Sequence, residues 1–153
     1  MNERFKAHIE ALPQSFEELL TFAPLTVEKT KREAPRLSGV YLLTENSEHL
    51  YVGRANDFRQ RFQNHLGQPT QASFAFLLAR EVTGKTKASY KKKGSRKELM
   101  LNPAFRNAFE RAKVRIAKMH VRFVEENNPV RQHLLEAYVA VTLDTPYNSF
   151  KNS

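Results

Sequence analysis

Residues 39 to 53 set the tightest limit on what this chain can fold into. Val40, Leu42 and then Leu50, Val52 alternate with Tyr41, Leu43 and His49, Tyr51, with Glu45-Asn46-Ser47 between the two runs. Strict alternation is the mark of a half-buried strand, and two such runs about a short polar turn make a β-hairpin. A three-residue turn centred on Asn46 would set Tyr41 opposite Tyr51. Val40, Leu42, Leu50 and Val52 would then share the buried face and the two tyrosines the other. Gly53 ends the second strand, and Asn56 or Asp57 can cap a helix after it. Phe58, Phe62 and Leu66 recur at i, i+4, i+8 along that helix, and Gly67 with Pro69 stops it. Arg61 and His65 lie four residues apart on one helix face, beside the apolar stripe and near the sheet.

Around this ββα segment the signals are plainer. Residues 2 to 11 read as a short helix. Ser15 to Glu18 forms an S-x-x-E capping box that opens a second helix, ended by Pro24. Residues 25 to 37 are mixed and charged and read as a surface connector. Residues 72 to 82 and about 103 to 113 read as helices. Met119 to Val124 alternates as a strand, out of phase with Val114 and Ile116, which implies a bulge or helix end near Lys118. Asn128 and Pro129 open a last helix containing "LLEAYVAVTL", apolar nearly all round with Glu136 its single charge.

At 153 residues the chain suits one compact domain. It has no Cys, which removes disulfides and thiolate metal sites. The charged N-terminus argues against a leader or anchor, no run approaches a membrane span, and a soluble cytoplasmic protein with no membrane partner is expected. The net charge of +9 favours a polyanionic partner, nucleic acid first. Residues 84 to 97, "GKTKASYKKKGSRK", hold seven Lys or Arg and no acid. Lys85, Lys87, Tyr90, Lys91, Lys92, Lys93, Arg96 and Lys97 are candidate nucleic-acid contacts there, with Arg54 a further one, the cations for phosphates and Tyr90 for stacking on a base. A solvated linker is the competing reading. Glu136 poses a problem of its own, because a carboxylate on a buried helix is costly unless a cation meets it. It either points to solvent or meets a cation, and Mg²⁺ suits a single carboxylate completed by water and phosphate oxygens.

Taken one at a time, none of these residues is specific. Together, "GVY" at 39–41, "YVG" at 51–53, Arg61, His65, Glu136 within a helix and "PYN" ending at Asn148 resemble the GIY-YIG nuclease family. The resemblance spans about residues 38 to 150, with Val for Ile in both signature triplets. It implies an α/β (α+β) fold in which a three-stranded antiparallel sheet is flanked by helices. Residues 1–37 would be an N-terminal extension and about 70–113 a basic helical insertion. The family's activity is metal-dependent hydrolysis of DNA phosphodiesters. By the motif match Tyr41 would be the general base and Tyr51 would orient water or phosphate. Arg61 would neutralise the scissile phosphate, His65 would assist there, Glu136 would bind one Mg²⁺ (or Mn²⁺) and Asn148 would brace the site. DNA is the expected partner, with RNA the alternative polymer. A non-catalytic nucleic-acid-binding module on the same fold is the rival reading.

Overall fold

The computed structural model describes residues 1–85 and 95–150. In chain order the elements are α1 (Glu3–Glu10), α2 (Leu12–Thr21), β1 (Leu25–Thr26), α3 (Val27–Glu33), β2 (Gly39–Glu45), β3 (Glu48–Ala55), α4 (Phe58–His65), α5 (Ser73–Thr83), α6 (Arg96–Leu99), α7 (Pro103–Ala117), β4 (His120–Glu125) and α8 (Pro129–Leu143). They form two compact units, one of Met1–Arg61 with Met119–Ser153, the other of Phe62–Lys118.

The first unit is built on an antiparallel sheet flanked by helices, with strand order β1-β4-β2-β3. The expected three strands are present, and the two-residue β1 from the N-terminal segment adds a fourth. The hairpin turn is shorter than its sequence suggested. Asn46 and Ser47 both adopt positive φ, 51° and 65°, the pair of left-handed residues that a two-residue type I′ turn requires. A register irregularity follows at Leu43/Thr44, and Tyr41 faces Gly53 while Tyr51 faces Leu43. The expected pairing of Tyr41 with Tyr51 is thus off by two residues. A shift of two preserves the face of every side chain, so the tyrosines still share one.

The opposite face carries the core. Val40, Leu42, Val52 and Val124 pack with Leu12 and Leu19 of α2 and with Leu135, Val139 and Ala140 of α8. Leu50 is also buried, but it stands at the irregularity and outside this cluster. On the tyrosine face Phe123 packs against Phe58 and Phe22, with ring centroids 4.7 and 4.3 Å away.

Two N-terminal readings are corrected. The second helix opens at Leu12, with Ala11 at its cap and a proline in its first turn, so Ser15 lies inside it. Both Leu12 and Leu19 of this helix are buried. The supposed connector holds β1 and α3. Thr26 caps α3 by accepting from the Lys29 N–H, and Val27, Thr30 and Ala34 are buried. Their spacing is helical but hidden among five charged residues.

The second unit is helical. Phe74, Phe76 and Leu78 of α5 are buried, as are Phe105 and Phe109 of α7, with Phe76 and Phe105 centroids 5.0 Å apart. α7 runs to Ala117, so the phase break near Lys118 is a helix end: Ile116 is buried and Val114 exposed.

Candidate active site

Tyr41 sits on β2, the strand buried on both faces, and has no exposed surface. Its ring lies over the backbone of Gly53, the residue opposite. A Cβ at Gly53 would run into the Tyr41 ring, and one at Gly39 would meet the Val124 carbonyl and the Phe58 ring. Both motif glycines therefore serve close approach. Tyr51 is a diagonal neighbour on the same face, its centroid 6.3 Å from that of Tyr41.

Arg61 reaches this pair from α4. That helix is fixed at its start: Asp57 accepts from the Gln60 N–H at 3.1 Å and pairs with Arg36 at 2.8 Å, and Arg59 donates to the Ala34 carbonyl at 2.8 Å. The gain from Asp57 as cap holds the helix in place, and the Gln60 bond, then Arg36, keeps its carboxyl below the usual carboxylate range. One turn on, Arg61 donates Nε–H to the Tyr41 hydroxyl at 3.0 Å. Tyr51 is tied by side-chain hydrogen bonds to both Arg61 and Tyr41.

Burial dominates the electrostatics of the tyrosines. It pushes the Tyr41 hydroxyl far above an ordinary phenol, and Tyr51 adds to the push, while the charge and hydrogen bond of Arg61 pull the other way. Tyr51 is raised for the same leading reason. The charge and hydrogen bond of Arg61 therefore do not bring Tyr41 down to the range of an ordinary phenol.

Glu136 stands on α8, one residue past the core contact Leu135. It is half-buried and close enough to Arg61 and to both tyrosines to be felt by them. Burial raises it above the usual carboxylate range, against the pull of Arg54, His133 and Arg61 in that order. Arg54 Nε lies 3.7 Å from Glu136 Oε2, so Arg54, expected to contact nucleic acid, turns to the carboxylate. Strand parity carried this signal, since Arg54 shares the face of Val52 that α8 covers. His133 Nδ1 lies 2.8 Å from the Pro129 carbonyl. A carbonyl only accepts, so that nitrogen bears the proton, and the 3.4 Å approach of Arg54 to the same atom is not a hydrogen bond.

Asn148 accepts from the Val52 N–H and donates to the Val52 carbonyl, both at 2.8 Å, and accepts from Thr145 Oγ1. It ties the segment after α8 to the edge strand beside Tyr51. The first unit thus brings together Tyr41, Tyr51, Arg54, Arg61 and Glu136, with Asn148 holding β3. His65 belongs to the second unit, where it is fully buried with its ring edge-on to Phe74. Lys85, Arg96 and Lys97 are exposed. Arg96 also lies over the Phe76 ring and donates to the Pro69 carbonyl and Ser73 Oγ. Lys87, Tyr90, Lys91, Lys92 and Lys93 lie outside the described residues.

Among the described residues no cluster of three or more His, Cys, Asp or Glu could hold a metal. The donor set at the tyrosine cluster is one half-buried carboxylate, whose charge burial disfavours despite Arg54, His133 and Arg61 nearby. That suits a hard cation such as Mg²⁺, which keeps several waters and takes phosphate oxygens as ligands. No described helix is long and apolar enough to cross a membrane.

The GIY-YIG catalytic domain family matches residues 37–125. The match contains Tyr41, Tyr51, Arg61 and His65 and stops before α8, so the places of Glu136 and Asn148 rest on geometry. No curated protein and no solved structure matches the chain.

Proposed function

The chain belongs to the GIY-YIG family of nuclease domains, and on that premise we propose that it is a divalent-metal-dependent endonuclease that hydrolyses DNA phosphodiester bonds. The observation that carries this reading is the hydrogen-bonded group of Tyr41, Tyr51 and Arg61 with Glu136 in electrostatic reach.

Arg61 spends one N–H on Tyr41 and has the rest of its fork for the non-bridging oxygens of a phosphate, a match of planar geometry and charge. Tyr41 is the general base, and Tyr51 positions the water or phosphate beside it. A phenol above its ordinary range holds its proton firmly at neutral pH, so Tyr41 needs added positive charge near it to act as a base. Glu136 would hold the metal, which would supply positive charge to stabilise the phosphate during hydrolysis. Arg54 has to share the carboxylate or swing from it when metal binds.

The test is nicking of supercoiled plasmid by the full chain in Mg²⁺, in Mn²⁺ and in EDTA. Cleavage in either metal and none in EDTA is the expected result. Equal cleavage with EDTA, or none under any condition alongside tight DNA binding, would overturn the reading.

A further inference from the structure

The net charge of the chain is confined to one of its units. Thirteen of the 25 Lys and Arg fall in residues 62–118, against three of the 16 acids. That stretch carries +10 and the remainder −1. Within this unit α5 and α7 leave a cleft of about 370 Å³ between them, the size of a small-ligand site. Aliphatic side chains, Leu78, Val82, Ala108 and Ala112 among them, share its lining with the polar Thr83 and Asn107, and Arg111 and Arg115 stand a helical turn apart on α7. Val82 is 74% exposed. Arg111 is exposed and makes no ion pair among the described residues. Lys113, by contrast, pairs with Glu110 at 3.2 Å.

We infer that this cleft binds a nucleic-acid strand at unpaired nucleotides, with the aliphatic side chains against base faces and Arg111 and Arg115 on the phosphates. This deepens the endonuclease reading and rests on it for the choice of polymer. A duplex keeps its base faces stacked and shows only edges in its grooves. The arginines can hold either form, but only a strand with unpaired bases also covers the aliphatic side chains. An acidic protein helix could pair with two arginines too. A surplus of ten cations over 57 residues is on the scale of a polyanion.

The experiment is fluorescence anisotropy of a labelled 15-mer of thymidylate and of a 15-base-pair duplex with the full chain in EDTA, so that cleavage plays no part. Wild type should prefer the single strand. Ala108→Glu places a carboxylate in the cleft and should weaken single-strand binding by about tenfold or more, and duplex binding less. Arg111→Gln, on an exposed side chain, should lower the log-log salt slope on the single strand by about 0.7. Arg32→Gln in the first unit should leave that slope unchanged. Circular dichroism checks that each variant is folded, and Arg111→Gln keeps the inference testable if Ala108→Glu is not. An unchanged single-strand affinity in folded Ala108→Glu, an unchanged slope in Arg111→Gln, or equal losses on both DNAs would overturn it. So would an acidic amphipathic peptide that binds wild type and not Ala108→Glu while the oligonucleotide binds both. Plasmid nicking is read separately, so failure of the cleft and failure of the endonuclease reading are distinguishable.

Discussion

The unit that holds Tyr41, Tyr51, Arg61 and Glu136 is nearly neutral, whereas residues 62–118 hold more than the chain's whole charge excess. In the first unit cations are matched by carboxylates: Arg36 with Asp57, Arg54 with Glu136, Arg131 with Glu126. In the second, thirteen cations share three acids. Charge that is matched positions groups, while charge in excess attracts a polyanion at range and loses its pull with salt. Under the proposed endonuclease reading, the contrast would give chemistry to one unit and most of the affinity to the other. It can be broken by any substitution that moves both together.

The largest effect is expected at Glu136. Glu136→Gln keeps the shape of the side chain and removes the charge. Loss of several kcal/mol of metal-dependent stabilisation corresponds to about a 10³-fold fall in cleavage rate. DNA affinity in EDTA should be unchanged, or slightly higher for the loss of a negative charge. Cleavage within tenfold of wild type in Mg²⁺ would remove Glu136 from the site.

Gly53→Ala should come next. The added methyl meets the Tyr41 ring, and overpacking of this kind costs about 1–3 kcal/mol. A displacement of Tyr41 by about 1 Å can lower the rate by roughly 10²-fold. Thermal unfolding and single-turnover cleavage would both register it. An unshifted melting temperature with full activity would mean that the close approach of ring and backbone is not required.

Asn148→Ala should sharpen the same comparison with a smaller effect. It strands the Val52 N–H and carbonyl at the edge of the sheet. Leaving such groups unmade costs about 1–3 kcal/mol, a fall of a few degrees in Tm for a chain of this size. Cleavage should drop less than tenfold, and the salt slope of binding should not move. A slope change would tie Asn148 to nucleic acid instead of to β3.

Much of the site was legible because alternation fixes faces, and faces survive an error in register. Tyr41 and Tyr51 were placed together through the wrong turn, since a slip of two residues leaves both on the same side. Caps did equally well where the side chain makes the bond itself, as Asn128 does to the Arg131 N–H. The capping box at Ser15 misled because a proline two residues inside a helix start, and a leucine seven residues before Leu19, outweighed it. α3 was missed because Val27, Thr30 and Ala34 are too few to show a period among charged neighbours. β1, only two residues long, exists through its pairing with β4 and has no local signal. Arg54 was assigned from its charge alone. Its partner Glu136 lies 82 residues away in sequence, and only the packing of α8 on the sheet brings them together.

The central claim, that Tyr41 does the proton transfer in the neutral unit, is most directly tested by single-turnover cleavage rates from pH 6 to 9.5 for wild type and Tyr41→Phe. Burial holds the Tyr41 proton firmly, so below its pKa the phenolate fraction grows about tenfold per pH unit. The wild-type rate should climb with that slope until the pH passes the Tyr41 pKa of the metal-bound site. Tyr41→Phe should be slower by roughly 10²- to 10⁴-fold and should lose the slope, with DNA affinity unchanged. A Tyr41→Phe enzyme that keeps the wild-type rate and pH profile would contradict the account, and a rate that falls as pH rises would do so as well.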